Sequence, residues 1–188
     1  MAFLTEEKLK SLGFKSLGRN VKISDKASIY APQNISIGDN VRIDDFCVLS
    51  AFGGYINLHN HIHIAVFCNL IGKGGIEMFD YSGLSSRVSL YSASDDYSGD
   101  YLIGPVMVED CLNIIQGQII LEKYVTIGTN SVVLPKVTMK EGSVLGAFSL
   151  LTKDTEEWTI NTGVTAKRIK SRKRGLLELV KKMEDKWN

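Results

Sequence analysis

Ile37-Gly-Asp-Asn-Val-Arg-Ile43-Asp-Asp-Phe-Cys-Val-Leu49 repeats itself on a step of six residues. An aliphatic residue at position i is followed by a turn former at i+1 or i+2. A small or β-branched residue then stands at i+4, and the rule returns at Ile127-Gly-Thr-Asn-Ser131. Outward from this stretch, anchors fall at Ile37, Ile43 and Leu49, at Leu58, Ile64 and Leu70, and at Met78, Leu84 and Leu90. After a gap they resume at Leu121, Ile127 and Val133, then at Met139, Leu145 and Leu151. The i+4 partners run Val41, Cys47, Ile62, Cys68, Ser82, Val88, Val125, Ser131, Val137, Ser143 and Ser149.

A step of six fits neither the 3.6-residue period of a helix nor the two-residue period of an isolated hairpin sheet. It fits strands of about three residues separated by tight turns, three of which close a triangular coil. Stacked coils then pair strand on strand in parallel, with each anchor and each small i+4 side chain facing inward. Glycine, Asn and Asp are the residues expected to take the turn conformations that bulky side chains resist. The expected architecture is an all-β solenoid.

The interruptions carry as much information. The step from Leu49 to Leu58 is nine residues and that from Leu70 to Met78 eight, two small bulges at one corner. From Leu90 to Leu121 it is 31, so a loop 25 residues longer than a hexad leaves the third-to-first corner, spanning about residues 92–117. Long loops on rigid scaffolds are usually functional, and Tyr91, Tyr97 and Tyr101 suggest that this one makes contacts. The expected organisation is a single domain over 1–188, with an N-terminal cap at 1–20, the β-helix at 21–154 and a C-terminal extension at 155–188. Thr5 to Leu12 reads as a cap helix with Thr5 as N-cap and Gly13 as its stop. Ser171 to Trp187 reads as a second helix, with Leu176, Leu177, Val180 and Met183 on one stripe.

Composition excludes other classes. Charged residues are 23%, hydrophobic residues 44% and the net charge is +1, which provides no field for nucleic acid or a membrane surface. Neither a signal peptide nor an apolar run near the roughly 20 residues of a membrane span is visible, so a cytoplasmic protein is expected. The three cysteines cannot all pair; Cys47 and Cys68 occupy inward i+4 positions as small apolar residues, and Cys111 lies outside the repeat.

The hexads, the long loop after three coils and the closing Gly163-Val-Thr-Ala-Lys-Arg-Ile169 together resemble the hexapeptide-repeat acyltransferases, from about Leu9 to Arg172. The nearer resemblance is to the branch that serves surface-polysaccharide synthesis. It implies a left-handed parallel β-helix, a homotrimer with active sites between neighbouring prisms, and acetyl-CoA as co-substrate without a metal. The implied reaction is acetyl transfer to a sugar or nucleotide sugar, a hydroxyl acceptor being expected ahead of an amine. In the closing motif Thr165 stands where proline is usual.

A hydroxyl attacking a thioester needs a base and donors for the oxyanion, and histidine titrates near neutrality. The three histidines are His59, His61 and His63, and with Ile62 and Ile64 facing inward, His63 must point outward from a strand. Resemblance places the family's His-Ile-Ala at His63-Ile64-Ala65, so His63 is the expected general base. Relatives that act on galactosides keep their histidine in the long loop; here that place is Ser94-Asp95-Asp96. Asp95 or Asp96, reaching from a neighbour's loop, is therefore expected to orient His63.

Asn69 and His61 are candidates for the acceptor, Lys167 and Arg168 for the coenzyme's phosphates, and backbone near Gly128 and Ala147 for its pantetheine arm. Phe46 and Phe67 hold matching positions in successive coils and should stack, as trimer packing or as a sugar platform. Two rival readings remain: a γ-class carbonic anhydrase, which needs three convergent histidines, and a trimeric scaffold without catalysis.

Overall fold

The computed structural model describes residues 2–186 and shows a parallel β-solenoid of about seven turns. Its first face contains the six strands Ser16–Leu17, Ile35–Ile37, Ile56–Leu58, Ile76–Met78, Ile119–Leu121 and Thr138–Met139. The second face has eight: Lys22–Ile23, Arg42–Ile43, His63–Ile64, Gly83–Leu84, Thr126–Ile127, Val144–Leu145, Thr159–Thr162 and Lys167–Ser171. The third face has six: Ser28–Tyr30, Val48–Ser50, Asn69–Ile71, Ser89–Tyr91, Val132–Val133 and Leu150–Leu151.

Each anchor read from the sequence is buried, and so is every i+4 partner from Val41 to Ser149. The inside is a column of like on like, in which Ile43 sits over Ile64 and Leu84 over Ile127. Such burial contributes about 1.5–3 kcal/mol per large aliphatic side chain. The hexads begin one coil earlier than the anchors read from sequence, at Leu17, Ile23 and Ile29. Four of the six strands of the first face bury a second residue, as in Ile35 and Ile37 or Ile56 and Leu58. The bulges fill out that wider face.

The corners differ from the expectation. Besides Asn20, Asn40 and Asn130, the left-handed conformation is taken by Phe46, Phe67, Tyr81, Arg87, Tyr124, Phe148 and Trp158. A side chain there costs about 1–2 kcal/mol, and stacking on the next coil offsets it. Phe46 and Phe67 stack at 5.0 Å, His61 and Tyr81 at 4.8 Å, and Tyr81 and Tyr124 at 5.5 Å. At the corner between the first and second faces, Asp39, Asn60 and Asp80 stand just before the left-handed Asn40, His61 and Tyr81 and bind amides of the adjacent coil. Asp39 accepts from the Arg19 amide at 2.7 Å and Asp80 from the Asn60 amide at 2.9 Å.

Both ends are capped. Helix α1, Glu6–Ser11, has the Thr5 side chain accepting from the Lys8 amide, and Gly13 follows at φ +75°. The expected C-terminal helix is shorter: α2 spans Leu176–Glu184, because Lys167–Ser171 forms an antiparallel strand against Thr159–Thr162. Trp187, the expected last residue of that helix, lies outside the described residues. Leu176, Leu177, Val180 and Met183 are half-buried, and Tyr81 donates to Glu184 at 2.7 Å, tying α2 to the fourth coil. Among the described residues no helix is long and apolar enough to cross a membrane.

The long loop contains a ribbon, Ala93–Asp95 antiparallel to Ile114–Gln116, beyond which Tyr97, Leu102, Ile103, Val106 and Val108 are exposed.

Candidate active site

Coil stacking aligns the outward side chains of the second face in one row. Lys22 pairs with Arg42, Arg42 with His63, His63 with Gly83, Gly83 with Thr126 and Thr126 with Val144. His63 points outward with its side chain 55% exposed, as the alternation required. It lines a groove of about 330 Å³ with Ala65, Gly83, Ser85, Ser86 and Thr126. A Cβ on Gly83 would meet nothing closer than the His63 carbonyl at 3.5 Å, so the coil stack does not itself demand glycine there. The missing side chain leaves room beside His63.

The carboxylate at His63 is one that the sequence alone does not single out. His63 Nε2 lies 2.8 Å from Asp44 Oδ2, and Arg42 Nε donates to Asp44 Oδ1 at 2.7 Å. The Asp44 side chain is 7% exposed. Burial raises its pKa, but the hydrogen bonds from Arg42 and His63 outweigh it and hold the carboxyl below its ordinary value. An ionised carboxylate only accepts, so Nε2 carries a hydrogen, and when the ring is neutral Nδ1 is its proton acceptor. The only sequence signal is position: Asp44 is outward, one coil before His63 and two residues further along. By the hexad rule alone it is a turn former.

The other candidates lie apart from His63 in the single chain. Asp95 lines a groove of about 420 Å³ on the third face with Tyr91, Ala93, Tyr97 and Val132. Asp96 accepts from the Ser98 amide at 2.8 Å and from Asn113 at 2.7 Å, which hold its pKa down and make it a turn residue. Asn69 lies on the third face, 3.4 Å from Ser89 Oγ. His61 stacks on Tyr81 at the corner between the first and second faces and lines a groove of about 710 Å³ with Asp39, Asp80 and Lys123.

Gly128 has a reason inside the fold: a Cβ there would lie 2.5 Å from the Ala147 amide nitrogen. Lys167 and Arg168 lie exposed on the last strand of the second face, with Arg168 paired to Glu156. That strand is five ladder steps from His63, roughly 24 Å.

The three histidines diverge. His59 bonds Glu77 at 2.6 Å, His61 joins the corner stack and His63 meets Asp44. Among the described residues no group of three or more His, Cys, Asp or Glu side chains is placed to hold a metal ion. A shared three-histidine zinc within one chain does not fit this geometry.

No family model matches the chain. It is 52% identical over 179 residues, 95% of this chain and 93% of the relative, to a dTDP-4-amino-4,6-dideoxy-D-glucose acyltransferase of Escherichia coli. AntD, an N-acyltransferase from Bacillus cereus solved with dTDP and 3-hydroxybutyryl-CoA, superposes with a TM-score of 0.95 at 44% identity, covering 99% of this chain and 98% of AntD. AntD has also been solved with one aspartate or one serine substituted, the serine variant binding dTDP-4-amino-4,6-dideoxyglucose and coenzyme A. A hexapeptide-repeat acetyltransferase from Vibrio cholerae shares the fold, with a TM-score of 0.62 at 22% identity over 91% of this chain and 80% of its own. These findings overturn one expectation. The resemblance puts a hydroxyl acceptor ahead of an amine, yet AntD, aligned over nearly its whole length, is an N-acyltransferase.

Proposed function

From the premise that this chain belongs to the hexapeptide-repeat acyltransferases, we propose that it transfers an acyl group from an acyl-CoA to the amino group of a dTDP-linked 4-amino-4,6-dideoxyhexose. The end-to-end likeness to the Escherichia coli acyltransferase carries this reading. The second-face groove beside His63 supports it from the chain's own residues.

An amino sugar is protonated near neutrality and attacks only after losing a proton. Nδ1 of His63, with the ring fixed by Asp44, accepts that proton. The amine lone pair forms a bond to the thioester carbonyl carbon, an oxyanion develops, and its collapse breaks the carbon–sulfur bond. The leaving thiolate takes that proton from His63, and the nitrogen, which still carries two hydrogens, releases one of them to water, so the products are amide, free thiol and one proton in solution. Ser85 or Ser86, in the same groove, supplies a hydroxyl to the oxyanion or to the amine. Lys167 and Arg168 hold the phosphates of the coenzyme, and the run past Thr126 and Ala147 carries its pantetheine arm.

Three copies are proposed to assemble so that the third face and ribbon of one close the second-face groove of the next. Asp95 then approaches the amine as a counter-ion, and Asn69 comes from the same wall. Asp44 already fills the orienting role expected of Asp95 or Asp96.

The test is thiol release from acetyl-CoA and 3-hydroxybutyryl-CoA, offered with dTDP-4-amino-4,6-dideoxyglucose or with its 4-hydroxyl counterpart. The amino sugar should be acylated by one of the two donors and the hydroxyl sugar left untouched. Equal acylation of both sugars, or of neither, overturns the proposal.

A further inference from the structure

The outward row of the second face is graded in charge, and the gradient gives the acceptor a direction. Two cations, Lys22 and Arg42, precede His63 on the N-terminal side. After His63 the row runs Gly83, Thr126, Val144 and Ile160, with no charge until Lys170 on the last strand, the strand that also bears Lys167 and Arg168. Ladder steps of about 4.8 Å put Arg42 roughly 5 Å and Lys22 roughly 10 Å from the His63 position.

Arg42 is held ready. Its Nε donates to Asp44 at 2.7 Å, its guanidinium lies 5.4 Å from the centre of the Phe3 ring, and its side chain remains 49% exposed. Asp44 is engaged by Arg42 and His63, and Asp45 by Ser24 and Lys26. Among the described residues Lys22 is exposed and forms no ion pair, so its ammonium stands open at the N-terminal end of the row.

In a nucleotide-linked 4-amino sugar the amine and the diphosphate leave opposite ends of the pyranose ring. If the amine sits at His63, the diphosphate must lie along the row to one side. The uncharged C-terminal side is needed for the coenzyme's arm, so the diphosphate falls on the cationic side. We infer that Lys22 and Arg42 bind the diphosphate of the acceptor nucleotide and so select nucleotide-linked over free amino sugars. This assignment rests on the proposed acceptor class.

Calorimetric binding of dTDP, dTMP and thymidine to the full chain and to Lys22→Met and Arg42→Gln tests it. Lys22→Met is the cleaner arm, because Arg42→Gln also removes a partner of Asp44. Each variant should bind dTDP about tenfold more weakly, the usual worth of one charge-assisted contact. Thymidine binding should be unchanged, and coenzyme A binding unchanged as proof that the groove is folded. The Michaelis constant for the nucleotide sugar should rise in Lys22→Met with turnover retained. Variants that keep the wild-type dTDP affinity, or that lose thymidine as strongly as dTDP, overturn the assignment alone. A wild-type protein that binds no dTDP overturns the acceptor class and this assignment with it.

Discussion

The second and third faces of the prism have the same inside and opposite outsides. Through the middle coils both bury one aliphatic anchor per strand, Ile43, Ile64 and Ile127 on one and Leu49, Leu70 and Val133 on the other. Outward, the second face shows Lys22, Arg42, His63 and Thr126, while the third shows Ser28, Val48, Asn69, Ser89, Val132 and Leu150. Core packing fixes the inward positions and leaves the outward ones free. What stands there is read as use: a row of ionisable groups beside a groove is suited to chemistry, and a row of small uncharged residues to contact with another chain.

That contrast predicts two opposite failures. His63→Ala should lower kcat by about 10² to 10⁴ and leave assembly intact. Val132→Arg, on the third face, should split the proposed trimer, as read by light scattering at micromolar concentration. If His63→Ala remains active, the base assignment fails; if Val132→Arg leaves the mass unchanged, the third face is not the contact.

The period of six was legible because burial repeats it: every anchor and i+4 residue identified from Ile37 onward is buried. The first coil escaped because Leu17 and Ile29 are only half-buried and the bulge before Ile35 breaks the step. The Phe46–Phe67 stack was legible from their matching positions, but the left-handed backbone of the aromatic corners was not, because its strain is offset by the neighbouring coil, some 20 residues away, which no local turn rule senses. His63 could be found, since alternation alone turns it outward. Asp44 could not, because its partnership exists only across the coil ladder, where Arg42 is paired with His63. What would separate an amine acceptor from a hydroxyl leaves no mark in the spacing at all, for both acceptors need the same scaffold.

Glycines divide along the same line between packing and use. Gly128→Ala would push a methyl group to 2.5 Å from the Ala147 nitrogen, so it should destabilise the fold by about 1–3 kcal/mol in thermal or urea unfolding. Gly83→Ala meets only a 3.5 Å contact and should hold or slightly raise stability, by up to about 1 kcal/mol, while weakening acceptor binding in the groove. Full acceptor affinity in the Gly83→Ala variant would show that the groove beside His63 is unused.

The smallest effect concerns Asp44, and it reports on the second face without any substrate. Its carboxyl is held below the ordinary value of 3.8 by Arg42 and His63 despite its burial. A group whose folded pKa is depressed adds stability that is fully present above the unfolded pKa and disappears as pH falls through the folded one. The wild-type melting temperature should therefore carry an extra decline below about pH 4, and Asp44→Asn should remove that part of it. At neutral pH the substitution should cost on the order of 1 kcal/mol, because a carboxylate that accepts from two side chains becomes an amide that cannot satisfy both. It should also lower kcat, since the imidazole loses the partner that fixes its tautomer. Asp96→Asn, in a solvent-exposed turn of the loop, should do neither to a comparable degree. An unchanged acid decline in Asp44→Asn would mean that the Arg42–Asp44–His63 chain does not persist in solution. The second face would then be a charged surface rather than an organised site.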